Sequence, residues 1–202
     1  AIAIGTILLC MPFSSKSGEG LNLVDSLFTA TSATCVTGQI VRDTGSFFSR
    51  FGQMVILILI QTGGLGIMTF STIFMILLGK KLTIRENVVI QTALDQTKVE
   101  GLKDLLKQIV LIAFIIEAMG ALILYIRWTN LPDLAGRSDV LYKAIFHSIS
   151  AFCNAGFSVF STNLIVFRAD IVTNLVIISL IVSGGIGFVV LLDLLRFVRP
   201  RQ

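Results

Sequence analysis

Three long apolar runs organise the chain. MVILILIQTGGLGIMTFSTIFMILLG (Met54 to Gly79) carries no charged residue, LLKQIVLIAFIIEAMGALILYI (Leu105 to Ile126) carries Lys107 near one end and Glu117 inside, and IVTNLVIISLIVSGGIGFVVLL (Ile171 to Leu192) again carries no charge. A spanning helix needs roughly 20 mostly apolar residues, so each run predicts a transmembrane helix. The opening AIAIGTILLCM (Ala1 to Met11) is apolar but too short to cross, and it lacks the charged flank of a signal peptide. It reads as the outer end of a spanning helix whose beginning lies outside the chain.

Two shorter stretches fit neither a span nor a surface loop. FTATSATCVTG (Phe28 to Gly38) and HSISAFCNAGF (His147 to Phe157) are rich in small and hydroxyl residues, and they are related by an internal repeat. A shift of 118 pairs Phe28 with Phe146, Ser32 with Ser150, Ala33 with Ala151, Cys35 with Cys153 and Gly38 with Gly156. The same shift pairs Val41 with Val159, Thr44 with Thr162 and Arg50 with Arg168, and a shift of 121 lays Gly63–Gly66 on Gly184–Gly187. Each unit reads as a spanning helix, a short helix with a polar tip, and a second spanning helix. The first unit covers 1–79, a connection covers 80–104, and the second unit covers 105–202.

Charge sets the orientation. Six basic residues crowd between Lys80 and Lys107, and Arg196, Arg199 and Arg201 follow the last span. The positive-inside bias puts 80–107 and the tail in the cytoplasm, and 12–22 and 128–138 outside. The short helices therefore start and finish on the outer side, as re-entrant segments. Asn22 or Asp25 is placed to cap the first, and Ser138 or Asp139 the second. Their partially negative C-terminal ends point toward the membrane centre.

Non-helical backbone at membrane depth is tolerated where it is buried in protein or lines a watery path. Cys35, Val36, Thr37 and Gly38, with Cys153, Asn154, Ala155 and Gly156, occupy those places. Carbonyl oxygens backed by helix dipoles suit a dehydrated monovalent cation. Gly38 and Gly156 supply backbone angles that other residues resist.

Composition agrees. Of 202 residues, 54% are hydrophobic and 14% charged, against about 25% charged in soluble domains, and the mean hydropathy is +0.90. The net charge of +4 comes from residues flanking the spans, so it does not describe a nucleic-acid-binding stripe. Cys10, Cys35 and Cys153 have no paired spacing and form neither a disulfide framework nor a metal motif.

The motifs TSATCVTG, DTGSFFSRFGQ, IQTGGLGIMTF and FHSISAFCNAGF resemble those of the Trk/Ktr/HKT superfamily, most closely its KtrB-like potassium-translocating subunits, over essentially the whole chain. The resemblance implies an all-α membrane protein of repeated M1–pore helix–M2 units, two here of four around one pore, in a bacterial plasma membrane. It implies that Gly38 and Gly156 are filter glycines, and that glycine rather than serine at Gly38 favours potassium over sodium. The function implied is potassium uptake, not catalysis. The implied partners are membrane lipid, a second copy in a homodimer, and a cytoplasmic KtrA-like or TrkA-like ring. That ring binds ATP, ADP or a dinucleotide and docks on the charged stretch that includes Arg85 and Lys98.

Other readings stand beside these. A noncatalytic subunit contributing half a pore is one. A membrane-embedded enzyme using Cys35 or Cys153 is another, but it needs a base or metal cluster that one histidine cannot build. Cys35 and Cys153 read as small packing residues, and His147 as a packing or hydrogen-bonding residue. The paired glycines read as close helix contacts or a hinge. Arg50 and Arg168 read as interface anchors, and Asp193 as a local partner of Arg196. Glu117, near mid-span, is either functional or paired with an arginine or a backbone group.

Overall fold

The computed structural model describes residues 1–77, 98–131, 134 and 137–186. Among these described residues six α-helices follow one another: α1 (Ile2–Cys10), α2 (Leu23–Thr34), α3 (Arg50–Leu77), α4 (Lys98–Thr129), α5 (Arg137–Phe152) and α6 (Ile171–Ile186). Short 3₁₀ turns stand at Pro12–Ser14 and Ile165–Phe167. The fold is all-α, as the runs predict. The two units are built alike: α1 packs on α2 and α3, as α4 packs on α5 and α6, and the second helix of each unit also packs on the third. Of the helices of the first unit, α3 lies against α4 and α5 of the second.

Arg50–Ile67 and Lys107–Thr129 are long and apolar enough to cross a membrane, and Ile171–Ile186 is a shorter apolar helix. The end of the third expected span, 187–192, lies outside the described residues. So do most of the 80–104 connection and the Asp193–Arg196 pair. Lys98, assigned to the connection, is the first residue of α4. Leu111, Phe114, Met119 and Leu122 on α4, and Leu175 and Ile178 on α6, are exposed. So much contiguous exposed aliphatic surface belongs in lipid rather than water, and the chain is a membrane protein.

The helix starts differ in how they are capped. Asn22 caps α2: its Oδ1 accepts from the Asp25 amide at 2.8 Å, and its Nδ2 donates to the Asp25 carboxylate at 3.0 Å. In the second unit, helix α5 begins at Arg137, so Ser138 and Asp139 lie within its first turn rather than at its cap. A carboxylate is well placed there against the positive end of the helix dipole, and that of Asp139 is held by Arg50 and Lys143.

The loops on either side of α2 are tied together by backbone pairing. Lys16 and Ser49 amides donate to the carbonyls of Phe47 and Ser14, both at 2.9 Å. The buried Gln53 amide donates to the carbonyls of Thr44 and Phe48, both at 3.1 Å, and thereby holds the loop that runs from Gly38 to α3. In the second unit the corresponding work falls to aromatic packing. Trp128 stacks on Phe167 with ring centres 4.9 Å apart, and meets Phe160 and His147 edge-on. Its indole N–H donates to Thr173 at 2.9 Å.

Candidate functional site: paired filter segments

Both short helices end in the same hydrogen-bonded turn. In the first unit, the Thr37 amide donates to the Ser32 carbonyl at 3.0 Å and the Val36 amide to the Ala33 carbonyl at 3.3 Å. In the second, the Ala155 amide donates to Ser150 at 2.8 Å and the Asn154 amide to Ala151 at 3.0 Å. This double bond pattern is a Schellman termination, which requires a left-handed residue after the cap. Val36 (φ 50°) and Asn154 (φ 58°) occupy that position. Asn tolerates it, whereas a β-branched valine is strained by about 1–3 kcal/mol.

Two residues later the backbone is left-handed again, at Gly38 (φ 75°) and Gly156 (φ 71°). These left-handed residues keep the segments out of helix and strand. A buried serine then fixes each segment from behind: Ser32 Oγ donates to the Gln39 carbonyl at 2.6 Å, and Ser150 Oγ to the Phe157 carbonyl at 2.7 Å. The carbonyls that follow these two left-handed glycines are thus satisfied by protein. Those of Cys35–Gly38 and Cys153–Gly156 accept no hydrogen bond from the described residues. Eight backbone acceptors are available to something other than protein.

The segments are brought side by side. A Cβ placed on Gly38 would lie 2.9 Å from the Ala155 carbonyl oxygen and 3.4 Å from the Gly156 Cα, and one on Gly156 would lie 3.4 Å from the Gly38 Cα. The paired glycines of the second spans make room for this. A Cβ at Gly63 would overlap the carbonyl oxygen of Thr34, and one at Gly184 the carbonyl oxygen of Phe152, the last helical residues of α2 and α5. One at Gly64 would fall 2.7 Å from the Cys153 sulfur. At Gly63, Gly64 and Gly184 the glycines therefore serve close contact, one of the two readings of the motif.

The remaining candidates separate. Cys153 is buried, as the packing reading expects, whereas Cys35 is exposed among the described residues. His147 is buried, with Nδ1 2.7 Å from the Lys143 carbonyl and Nε2 2.8 Å from the Ser158 hydroxyl. A carbonyl only accepts, so Nδ1 carries the proton and Nε2 accepts from Ser158. Histidine here orders the loop after the second segment. No group of three or more metal-ligating side chains occurs among the described residues.

Arg50 does more than anchor an interface. Its guanidinium pairs with Asp139 and lies 4.0 Å from the Tyr142 ring centre, while Lys143 holds the other Asp139 oxygen at 2.5 Å. This cluster clamps the start of α3 to the short helix of the next unit. Glu117 is buried and faces Gln61, not an arginine. Neither contact is visible in the spacing of the chain. The repeated Ser32 and Ser150 did carry a signal, since a serine kept in register with the glycines has a common task. Arg85 lies outside the described residues, and Lys98 is placed only as the start of α4.

The chain is similar to known transport proteins. Residues 2–201 match the family model described as TrkH, cation transport protein. Over 96% of its length the chain is 47% identical to Ktr system potassium uptake protein B of Bacillus subtilis, covering 43% of that protein. Over 94% it is 40% identical to the protein of the same name from Vibrio alginolyticus, covering 41%. Over its full length it is 35% identical to potassium/sodium uptake protein NtpJ of Enterococcus hirae, covering 44%. The chain spans less than half the length of these relatives. With two units built to one plan and a match along nearly all of its residues, the chain belongs to the TrkH family of cation transport proteins.

Proposed function

We propose that this chain supplies two of the filter-bearing units of a potassium-uptake pore, with the carbonyl oxygens of Cys35–Gly38 and Cys153–Gly156 replacing part of the ion's hydration shell. The observation that carries the reading is the set of eight carbonyls without a protein donor, repeated at matched positions behind two left-handed glycines. Cys153 and Ala155 are buried, while Cys35, Thr37, Asn154 and Gly156 are exposed, so this row of carbonyls is open to a cation or water that completes it. The helix dipoles of α2 and α5 add partial negative charge at the same place.

The contacts between units favour a larger ring. They run head to tail, with Arg50, Gln61 and Gly64 of α3 meeting Asp139, Glu117 and Cys153 of the second unit. A heterologous contact of this kind leaves a free face at each end and closes only when further units complete the circle. Two more such units would do so, and the relatives are long enough to hold them. In this reading the pore lies in a bacterial plasma membrane with 80–107 inside. The mixed charges there, Arg85 and Lys98 included, dock a nucleotide-binding ring that regulates flux, and a second copy completes a homodimer.

The test uses the full-length protein in potassium-loaded and sodium-loaded vesicles. Gly38→Ser should lower potassium preference while flux itself persists, because an added side chain displaces the carbonyls. Unchanged potassium and sodium fluxes would remove the filter assignment. Arg85→Glu with Lys98→Glu should weaken ring binding and leave ion preference alone. Unaltered ring affinity would make the segment a linker.

A further inference from the structure

Glu117 is 3% exposed and lies where three helices meet. Its side chain faces Gln61 on α3, whose Nε2 is 3.0 and 3.1 Å from the two carboxyl oxygens. Its backbone carbonyl accepts from Ser148 of α5 at 2.7 Å. One turn on, Gly120 leaves room for that serine, since a Cβ there would sit 2.7 Å from its Oγ. Among the described residues no lysine or arginine lies within ion-pair distance of Glu117. The titratable side chain nearest to it in the second filter segment is the Cys153 thiol.

Counting donors exposes a mismatch. A carboxylate only accepts, and the Gln61 carbonyl oxygen also accepts, yet that oxygen is buried with no hydrogen-bond partner. The pair is short of one proton. A protonated Glu117 would supply it: its acid O–H is a donor available to the Gln61 side chain, while the Gln61 amide N–H donates to the carboxyl group. An ionised carboxylate at this depth would keep an uncompensated charge and leave the amide oxygen orphaned, and both are costly.

We infer that Glu117 works as a neutral carboxylic acid, and that its acid–amide pair with Gln61 is the positioning link that holds the two units together behind the second filter segment. Gly64, which admits the Cys153 side chain, is one turn from Gln61 on the same helix, so the link sets how α3 meets that segment. The inference does not depend on which cation crosses.

Infrared spectroscopy of the purified full-length protein tests it directly. At neutral pH the wild type should show a buried carboxylic-acid carbonyl stretch that disappears in Glu117→Gln. The glutamine variant, neutral and of equal shape, should keep its melting temperature and its cation uptake to within about twofold, whereas Glu117→Ala, which orphans the Gln61 amide, should lose uptake by about tenfold. Absence of an acid band that Glu117→Gln removes would overturn the protonated state, even if the alanine variant fails to fold. A glutamine variant as impaired as the alanine one would overturn it too, since a neutral partner would then not suffice.

Discussion

The Ser161 hydroxyl donates to the Asp43 carboxylate at 3.2 Å, and the two residues are one repeat apart in the chain. Equivalent positions of two units touch only near the axis that relates them. Gly38 and Gly156 touch in the same way, whereas Arg50 and Asp139, or Gln61 and Glu117, join unlike positions farther out. The segments that hold Gly38 and Gly156 and the loops that follow them therefore lie nearest the axis that relates the two units. Asp43 is anchored locally as well, accepting from the Ser46 amide at 2.5 Å. Burial raises its carboxyl, but the bonds from Ser46 and Ser161 outweigh this and hold it below the usual carboxylate range.

The contact between Gly63 and the end of α2 makes the first prediction. Gly63→Ala and Gly184→Ala each force a methyl into a helix-terminal carbonyl, at a cost of about 1–3 kcal/mol from overpacking. Gly66 has open space around it, so Gly66→Ala should be neutral or mildly stabilising through helix propensity. Thermal melts of the three detergent-solubilised variants should rank accordingly. Equal melting of Gly63→Ala and Gly66→Ala would remove the close-contact reading of the glycine pairs.

Arg50 and Asp139 give the second. The pair is more than a quarter exposed on both sides, so its electrostatic coupling should be small, about 0–1 kcal/mol in a double-mutant cycle of Arg50→Gln and Asp139→Asn. The stacking of the guanidinium on Tyr142 adds a separate part. Arg50→Lys should therefore destabilise although charge is kept. A lysine variant as stable as the wild type would show that charge alone matters.

How much of this was legible in the residues depends on the range of each contact. The three apolar runs and the repeat are local or periodic properties, and they led to the helices and to the order of the filter segments. Asn22 could be read as a cap because its partner, Asp25, is three residues away. Asp139 could not be placed: a contact with Arg50, 89 residues distant, lets it sit inside the first turn. Val36 gave no sign of its left-handed backbone, since valine resists it, and only the bonds that the Thr37 and Val36 amides donate to the Ser32 and Ala33 carbonyls impose it. Gln61 likewise looks like an ordinary polar residue in a span until Glu117 is found opposite.

The third prediction concerns acid stability. Asp170 stands at the start of α6, bonded by Arg127 Nε at 2.9 Å and by the Thr173 hydroxyl at 2.5 Å. The Arg127 hydrogen bond, against a smaller opposing effect of burial, holds its carboxyl below the usual range. A carboxyl depressed by folding contributes stability that is full above its unfolded pKa, about 3.9, and that is lost as pH falls through the lower folded value. Trp128, bonded to the same Thr173, is the only tryptophan in the chain, so its fluorescence reports on this end of α4. Between neutrality and the mid-carboxylate range Asp170→Asn should be less stable than the wild type by a constant margin, and the margin should shrink below it. A margin that does not change on acidification would show that the Asp170 charge is not what holds α6 to α4.

The two filter glycines should not respond alike. Both are left-handed, so alanine at either is strained by about 1–2 kcal/mol. Space then distinguishes them. At Gly38 the new methyl would press on the Ala155 carbonyl oxygen at 2.9 Å, and that oxygen belongs to the neighbouring segment's row of acceptors. At Gly156 the nearest atom is the Gly38 Cα at 3.4 Å, a contact that small shifts relieve. Gly38→Ala should therefore disturb both segments at once and impair potassium flux and selectivity more than Gly156→Ala does. Ion-flux measurements on the full-length variants in vesicles decide this, with melting temperatures to show that both fold. A greater loss at Gly156 would mean that strain in its own segment, rather than pressure between the two, sets ion preference.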